Sequence, residues 1–540
     1  MLISCAASTL VSNAISRILG RAFLLTFLAF AFLFFAWTLP AKDAAQTKEI
    51  TLLYSNDFHA AVEPVTATWL VDRPKIGGAL DFAAWISMLR RTEPNAFLFD
   101  SGDLYTGQSI SFLTRGQALV DIWKAIGFDA TCLGNHEFDY GIDGALRYVR
   151  EEPFPVLSAN LFRKSSGAPF AKPFAIVERN GIKIAVIGIF GPEIKFTTTI
   201  STWDTLEARD PVPILRELVP QLRKQADLII VLAHEGLPGP MQSDAEAHPE
   251  IQRNFDTDKA LVAAVPGIDV LISGHAHRGI EVPWVSPATG TIVVQTYGLS
   301  TTIGVLRLTV NVAEHRVIAH RGALVRVMDG VFSPPPNVAA VVTSWEEKAE
   351  AEGRKPIGEA AVPFTRDYNA ESLIGALVTD AMLSQTGAEM AFENAGGIRG
   401  DLPRGILTRS DAISALPFMN TAVEMELSGA DIRSALEQSL TLDAGMLQVA
   451  GLNATYDLSQ MAGHRLVSVT VGGKPLQDDR TYKIVVSSFV AHGGDHYESF
   501  RHGKNVHDTG ELLCDVLTDY ARKVHTLTAN PAGRMEQVVQ

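Results

Sequence analysis

Cysteine is nearly absent from this chain: three residues in 540, at positions 5, 132 and 514. Cys5 lies in a leader-like segment, and Cys132 and Cys514 sit in apolar surroundings far apart in sequence. A disulfide framework is not indicated, and both internal thiols are expected to be buried and free. A basic surface is missing too. Asp and Glu number 60 against 46 Lys and Arg, a formal net charge of −14, and no basic stripe is visible. That balance argues against a nucleic-acid polymer as partner, because nothing would neutralise its phosphates. Small phosphates stay open as ligands where bound metals supply positive charge. Internal repeats and extended low-complexity tracts are lacking as well. Long apolar runs are confined to residues 22–39. That run follows Arg17 and Arg21, and no acid precedes Asp43; small residues, Ala41, Ala44 and Ala45, come after it. It reads as a secretory signal peptide, with retention as an N-terminal anchor as the alternative, since about 17–25 apolar residues can span a bilayer.

What is present is an alternation of strand-like and helix-like segments, in a chain too long for one ordinary core. Helices are expected at 78–91, 117–126, 141–150, 211–225 and 257–265, and strands at 291–296, 302–312 and 316–327. The late run of strands suggests an α/β sandwich rather than a simple parallel sheet. Ser333-Pro334-Pro335-Pro336 breaks regular structure, and a polar helix over 337–351 reads as a semi-rigid connector. A second unit follows Pro356. It opens with an amphipathic helix near 370–385 and continues with a strand at 424–428, a helix at 431–438 and a strand at 481–487.

Five polar clusters run through the first unit: Asp57-x-His59, Gly102-Asp103, Gly134-Asn135-His136-Glu137-Phe138-Asp139, His234-Glu235 and Gly274-His275-Ala276-His277. Each follows a short apolar run, at 50–54, 96–99, 131–133, 228–232 and 270–272. Strand ends of one sheet meet at its carboxyl edge, where open α/β folds place ligands. Three Asp, five His and one Asn gathered there suit two divalent ions, and this mix of carboxylate and imidazole favours Zn, Mn, Fe or Co over Ca or Mg. Asp103 after a turning glycine could bridge the pair, as carboxylates do in two-metal phosphatases. Such a pair makes a nucleophilic water available near neutral pH, which points to phosphate-ester hydrolysis. His136 is then the donor to the leaving oxygen, with Asp139, three residues on, holding its imidazole. Glu137 and Glu235 are expected to orient neighbouring groups rather than touch metal. His248, His315, His320, His464, His502, His507 and His525 have no such context.

The motifs Asn56-Asp57-Phe58-His59, Ser101-Gly102-Asp103, Gly134 to Gly141 and Gly274 to His277 resemble the calcineurin-type metallophosphoesterase domain. Asn394-Ala395-Gly396-Gly397-Ile398-Arg399, Leu416-Pro417-Phe418-Met419-Asn420 and Gly493-Gly494-Asp495 resemble the C-terminal domain of secreted 5′-nucleotidases. The resemblance implies an α/β sandwich metallophosphoesterase domain at 46–332, a linker helix at 333–357 and an α/β substrate-specificity domain at 358–540, after a signal or anchor at 1–45. It implies one ion held by Asp57, His59, Asp103 and His277 and another by Asp103, Asn135, His234 and His275. It gives His136 and Asp139 the transition-state role. Phe418 and Phe489 would stack on a base, Asp495 would hold ribose, Arg399 would contact the polar end of the nucleotide, and Asn394 and Asn420 would bind substrate; Arg366 is a second candidate phosphate contact. Met419, His496 and Ser372 depart from the family pattern and bear on substrate choice. The implied activity is exported hydrolysis of nucleoside 5′-monophosphates, with nucleotide sugars and 2′,3′-cyclic nucleotides as further candidates. The alternatives are the related dimanganese thiohydrolase of sulfur oxidation and a non-catalytic surface receptor. A hinge near 333–358 would bring the two domains together.

Overall fold

The computed structural model describes residues 47–192, 205–236, 255–529 and 533–538; the leader-like run and His248 lie outside them. Two six-stranded sheets form the centre of the first half. One runs Arg316–Arg326, Thr302–Asn311, Thr47–Ser55, Ala96–Asp100, Ala130–Cys132, Val156–Leu157; the other runs Trp284–Val285, Ile292–Val294, Val270–Ser273, Leu228–His234, Ile182–Phe190, Phe174–Arg179. The last four strands of the first sheet are parallel, as are the four from Ile292–Val294 to Ile182–Phe190 in the second. Parallel strands buried on both faces read as near-continuous apolar runs. Leu228–His234 is such a strand, buried at every position.

The sheets pack face to face. Leu52, Tyr54, Phe97 and Phe99 from one and Ile184, Val186, Ile230 and Leu232 from the other share a single apolar cluster. The helices Ala79–Thr92, Gln117–Ile126 and Gly141–Glu151 cover the outside of the first sheet, and Pro211–Leu222 and Asp256–Ala264 cover the second. The result is the expected α/β sandwich, with helix boundaries within three residues of the sequence reading.

The segment read as a connector is the helix Pro336–Gly353, and it packs on the first half. Val338, Val342 and Ala349 join the same core as Phe82 and Trp123, and the Trp345 indole N–H donates to the Asp121 carboxylate at 3.1 Å. Of its four buried positions, Val338 and Val342 lie in the apolar first half, while Ala349 and Gly353 stand among charged residues that mask the stripe there.

The second half is built on a mixed five-stranded sheet, in the order Gln448–Ala450, Met390–Glu393, Thr481–Ser487, Thr421–Ser428, Lys504–Leu512. Alternate residues face opposite cores: Ala391 and Val485 meet the helices Leu373–Thr386 and Leu513–Val524, while Phe392, Ile484 and Val486 meet Gly429–Ser439. The helix expected as amphipathic near 370–385 is Leu373–Thr386 and is buried on most sides, because the sheet and a neighbouring helix enclose it. Cys132 and Cys514 are buried and free, as expected. Among the described residues no helix is long and apolar enough to cross a membrane.

One buried acid makes stability depend on pH. Glu152, just past the helix Gly141–Glu151, has no hydrogen-bond partner for either carboxylate oxygen among the described residues. Burial pushes its pKa from the ordinary 4.5 up to about 9, despite the nearby Lys124. The folded state therefore holds a proton that the unfolded chain releases above pH 4.5. The associated stability is complete below 4.5 and lost as pH rises toward 9. Glu152→Gln is expected to match the parent's Tm at about pH 5 and exceed it at about pH 9, by about 2–4 °C per kcal/mol relieved. Thermal unfolding at the two pH values checks this; equal shifts at both would contradict it.

Candidate active site

The five polar clusters sit at the carboxyl ends of their strands, but not on one sheet. Asp57, Asp103 and Asn135 follow strands of the first sheet; His234 ends a strand of the second, and His275 and His277 follow another. The basin lies where the ends of both sheets meet, which corrects the single-sheet expectation. A linear reading sees strands ending in polar residues and cannot see which sheet they join.

All seven ligand candidates are buried, at 6% exposure or less. Five of them, Asp57, His59, Asp103, His275 and His277, have φ between 47° and 67°. Non-glycine residues avoid that left-handed region, and strain of this kind gathers at functional sites that the surroundings over-determine. Gly102, at φ 86°, makes a close approach: a Cβ there would lie 2.7 Å from the Gly134 nitrogen. Gly134 in turn leaves room for the Asp103 carboxylate, which a Cβ at that position would strike.

The side chains fall into three overlapping sets whose ligand atoms lie within 4.8 Å of one another: Asp57, His59, His277; Asp103, His234, His275; and His59, Asp103, His136. Asp57 Oδ1 is 3.3 Å from His277 Nε2 and 3.7 Å from His59 Nε2. Asp103 Oδ2 is 3.0 Å from His234 Nε2 and 3.8 Å from His59 Nε2, so it stands between two of the sets. Asn135 Oδ1 is 3.2 Å from His234 Nε2. The orientation of these groups is fixed from behind. His234 Nδ1–H donates to the Ser101 carbonyl at 2.6 Å and His59 Nδ1–H to the Thr106 carbonyl at 3.1 Å, which turns both Nε2 atoms inward. The other oxygen of Asp57 accepts from the His275 amide at 2.9 Å and from Asn56 Nδ2 at 2.6 Å.

Whether metals fit can be judged from the donors themselves. Among the described residues His275 Nε2 and His277 Nδ1 are buried without a hydrogen-bond partner, and the Nε2 atoms of His59 and His277 face each other at 3.1 Å. Burial alone would push the Asp57 and Asp103 carboxyls up, yet His277 beside one and His234 beside the other hold both well below the usual carboxylate range. Burial disfavours charge on His59 and His275, pushing them down to about 4 and about 3. It also opposes charge on His234, but Asp103 outweighs it and pushes that imidazole up to about 10. Ionised carboxylates beside imidazoles, with His59 and His275 held neutral, form a donor set suited to divalent transition ions.

His136 lies at the mouth of the basin. Its Nδ1 is 2.7 Å from Asp139 Oδ2, and its backbone amide donates to Asp103 Oδ1 at 2.8 Å. Burial lowers the pKa of this imidazole, but the Asp139 and Asp103 carboxylates raise it further, so the net shift is upward. Glu137 accepts from the amides of Asp103, Leu104 and Gly134 at 3.2, 2.6 and 2.5 Å. It braces two of the loops and points at backbone, not at the imidazoles. Ser101, part of the Ser101-Gly102-Asp103 motif, and Thr106, which carries no special signal in the sequence, supply the backing carbonyls.

The second half contributes to the same place. The Phe418 ring lies 5.6 Å from that of His136, the planes only 23° apart, and the Arg399 guanidinium sits over Phe418 at 5.5 Å. Burial and the neighbouring Arg366 bring the Arg399 pKa down to about 10. Arg366, Tyr368, Ser372, Arg399 and Gln448 line one cleft. Asn394 Nδ2 donates to Asp495 Oδ2 at 2.7 Å. Phe489 is half-buried against Gly494, where any side chain would strike its ring, and Asn420 is half-buried two residues beyond Phe418. Ser372 caps the helix Leu373–Thr386, accepting from the Gly375 amide at 3.0 Å, and His496 is exposed.

Comparison with known proteins bears on the whole arrangement. The calcineurin-like phosphoesterase family matches residues 50–279, and the 5′-nucleotidase C-terminal domain family matches residues 356–502. A 5′-nucleotidase of Bos taurus is 27% identical over 549 residues, covering 91% of this chain and 92% of its own. The crystal structure of a 5′-nucleotidase precursor from Thermus thermophilus superposes with a TM-score of 0.79 at 27% identity, over 91% of this chain and 100% of that one. A sulfate thiohydrolase (SoxB) of Thermus thermophilus shares the fold, with a TM-score of 0.73 at 20% identity over 93% of this chain and 98% of its own. The chain thus belongs to the family in which a calcineurin-like phosphoesterase domain precedes a 5′-nucleotidase C-terminal domain, and it is a metal-dependent phosphoric ester hydrolase.

Proposed function

We propose that this protein hydrolyses nucleoside 5′-monophosphates to nucleoside and phosphate outside the cytoplasm, using two divalent ions drawn from Zn, Mn, Co or Fe. The observation that carries the proposal is the approach of Phe418 and Arg399, from the second half, to within one ring of His136 in the first. Phosphate chemistry and recognition of an aromatic, anionic substrate then share one site. Export is read from the apolar leader at 22–39, which is also the sole candidate for membrane attachment; a nucleic-acid polymer is not a partner.

Asp57, His59, Asp103 and His277 would hold one ion, and Asp103, Asn135, His234 and His275 the other. When bound, such ions neutralise phosphoryl oxygens and make water more acidic. The remaining steps belong to the chain's own residues. Water forms the new P–O bond as the ester P–O bond breaks, and His136 passes its proton to the departing O5′. The Asp139 carboxylate keeps the imidazole charged and aimed, consistent with the upward shift of His136. Arg399 offsets phosphate charge, Phe418 and Phe489 stack on the base at about 1–3 kcal/mol per base, and Asn394, Asn420 and Asp495 receive polar groups of base and ribose. The linker helix is docked on the first domain, so hinge motion for substrate entry is assigned to the chain beyond Gly353, within the proposed 333–357 linker.

The test is phosphate release from a panel of nucleotides, nucleotide sugars and simple sugar phosphates by the purified protein with added Mn, Co or Zn. Nucleoside 5′-monophosphates are expected to give the highest kcat/KM. Equal turnover of simple sugar phosphates would overturn the base-recognition half of the proposal, and no turnover with any metal would overturn the whole.

A further inference from the structure

Thr106 follows the Gly102-Asp103 cluster and is 1% exposed, yet it holds φ at 61°. A β-branched residue in the left-handed region is strained and persists only where its surroundings fix it. Each of its polar groups has a partner in the site. The hydroxyl donates to Asp139 Oδ2, the same oxygen that lies 2.7 Å from His136 Nδ1. The carbonyl accepts from His59 Nδ1 at 3.1 Å. The amide donates to Ser111 Oγ at 3.2 Å, and Ser111 Oγ is 2.9 Å from the Tyr140 hydroxyl. The next residue, Gly107, passes so close to the His59 carbonyl that any Cβ would collide with it.

We propose that Thr106 is a positioning residue that orients two imidazoles at once, His136 through its hydroxyl and Asp139, and His59 through its carbonyl. A carbonyl can only accept, so Nδ1 of His59 carries the proton and Nε2 presents its lone pair to the basin. The Asp139 carboxylate, anchored by the hydroxyl on one side, accepts from His136 Nδ1–H on the other, which leaves Nε2 of His136 as the donor toward substrate. One link runs through the side chain and the other through the backbone, so substitution separates them.

The inference rests on the phosphohydrolase reading, and three full-length variants test it against the parent and His136→Ala. Thr106→Val keeps the shape and the carbonyl but removes the hydroxyl. It is expected to lower kcat ~10–100-fold, the usual cost of losing such an orienting partner, with KM and bound-cation content near the parent's. Thr106→Ser restores the hydroxyl and is expected to recover activity. Thr106→Ala, which places no β-branch in the strained region, must show the same split as the valine variant. Parental kcat in the valine and alanine variants, with His136→Ala inactive, would overturn the role of Thr106 alone. Loss of cations in step with activity would also overturn it, by showing a purely structural role. An inactive parent would instead overturn the reading on which it rests.

Discussion

His136→Ala is expected to lower kcat by ~10²–10⁴-fold, the range for a lost general acid, while the protein keeps its full complement of cations. The outcome is not foregone, because His136, His59 and Asp103 bring ligand atoms within 4.8 Å of one another and could in principle hold an ion. Three observations favour the proton-donor role. One ring nitrogen of His136 is committed to Asp139 at 2.7 Å. The ring face lies against Phe418, on the side from which substrate would enter. His59 and Asp103 each already have nearer companions, His277 at 3.1 Å and His234 at 3.0 Å. Steady-state kinetics paired with elemental analysis decides between the roles. Loss of one cation per chain in the variant would make His136 a ligand.

Asp103→Asn is expected to remove both cations and activity together, by more than the ~10–100-fold typical of groups that merely orient ligands. Asp103 is the acid that stands between the two imidazole sets, with Oδ2 near His234 and His59 and Oδ1 accepting from the His136 amide. The amide variant keeps the shape but drops the charge. It must also place an –NH2 group where either a ring nitrogen or a backbone N–H now points at a carboxylate oxygen. A variant that retained both ions would show that Asp103 does not bridge them.

The sequence made the chemistry easier to read than its architecture. Apolar runs ending in Asp, Asn and His announced strands with donors at their tips, and those donors do converge. Their division between two sheets was hidden, because strand pairing is a long-range property: His234 aligns with Phe190, and Ser55 with Asp100. Backbone strain was hidden as well. Asp57 and His277 stand out in the sequence as ligand candidates, but nothing there marks their backbone, which the fold holds in the left-handed region. Thr106 gave no signal at all, since its function depends on three bonds to residues between 5 and 47 positions away. The helix Pro336–Gly353 was read as a polar connector because its second half is charged, while the valines that dock it, Val338 and Val342, lie in the first.

The most direct measurement is anomalous diffraction from crystals of the protein equilibrated with Mn or Zn. The account predicts two ion peaks in the basin, one against Asp57, His59 and His277, the other against Asn135, His234 and His275, with Asp103 touching both. A single peak, or a pair not shared by Asp103, would contradict it.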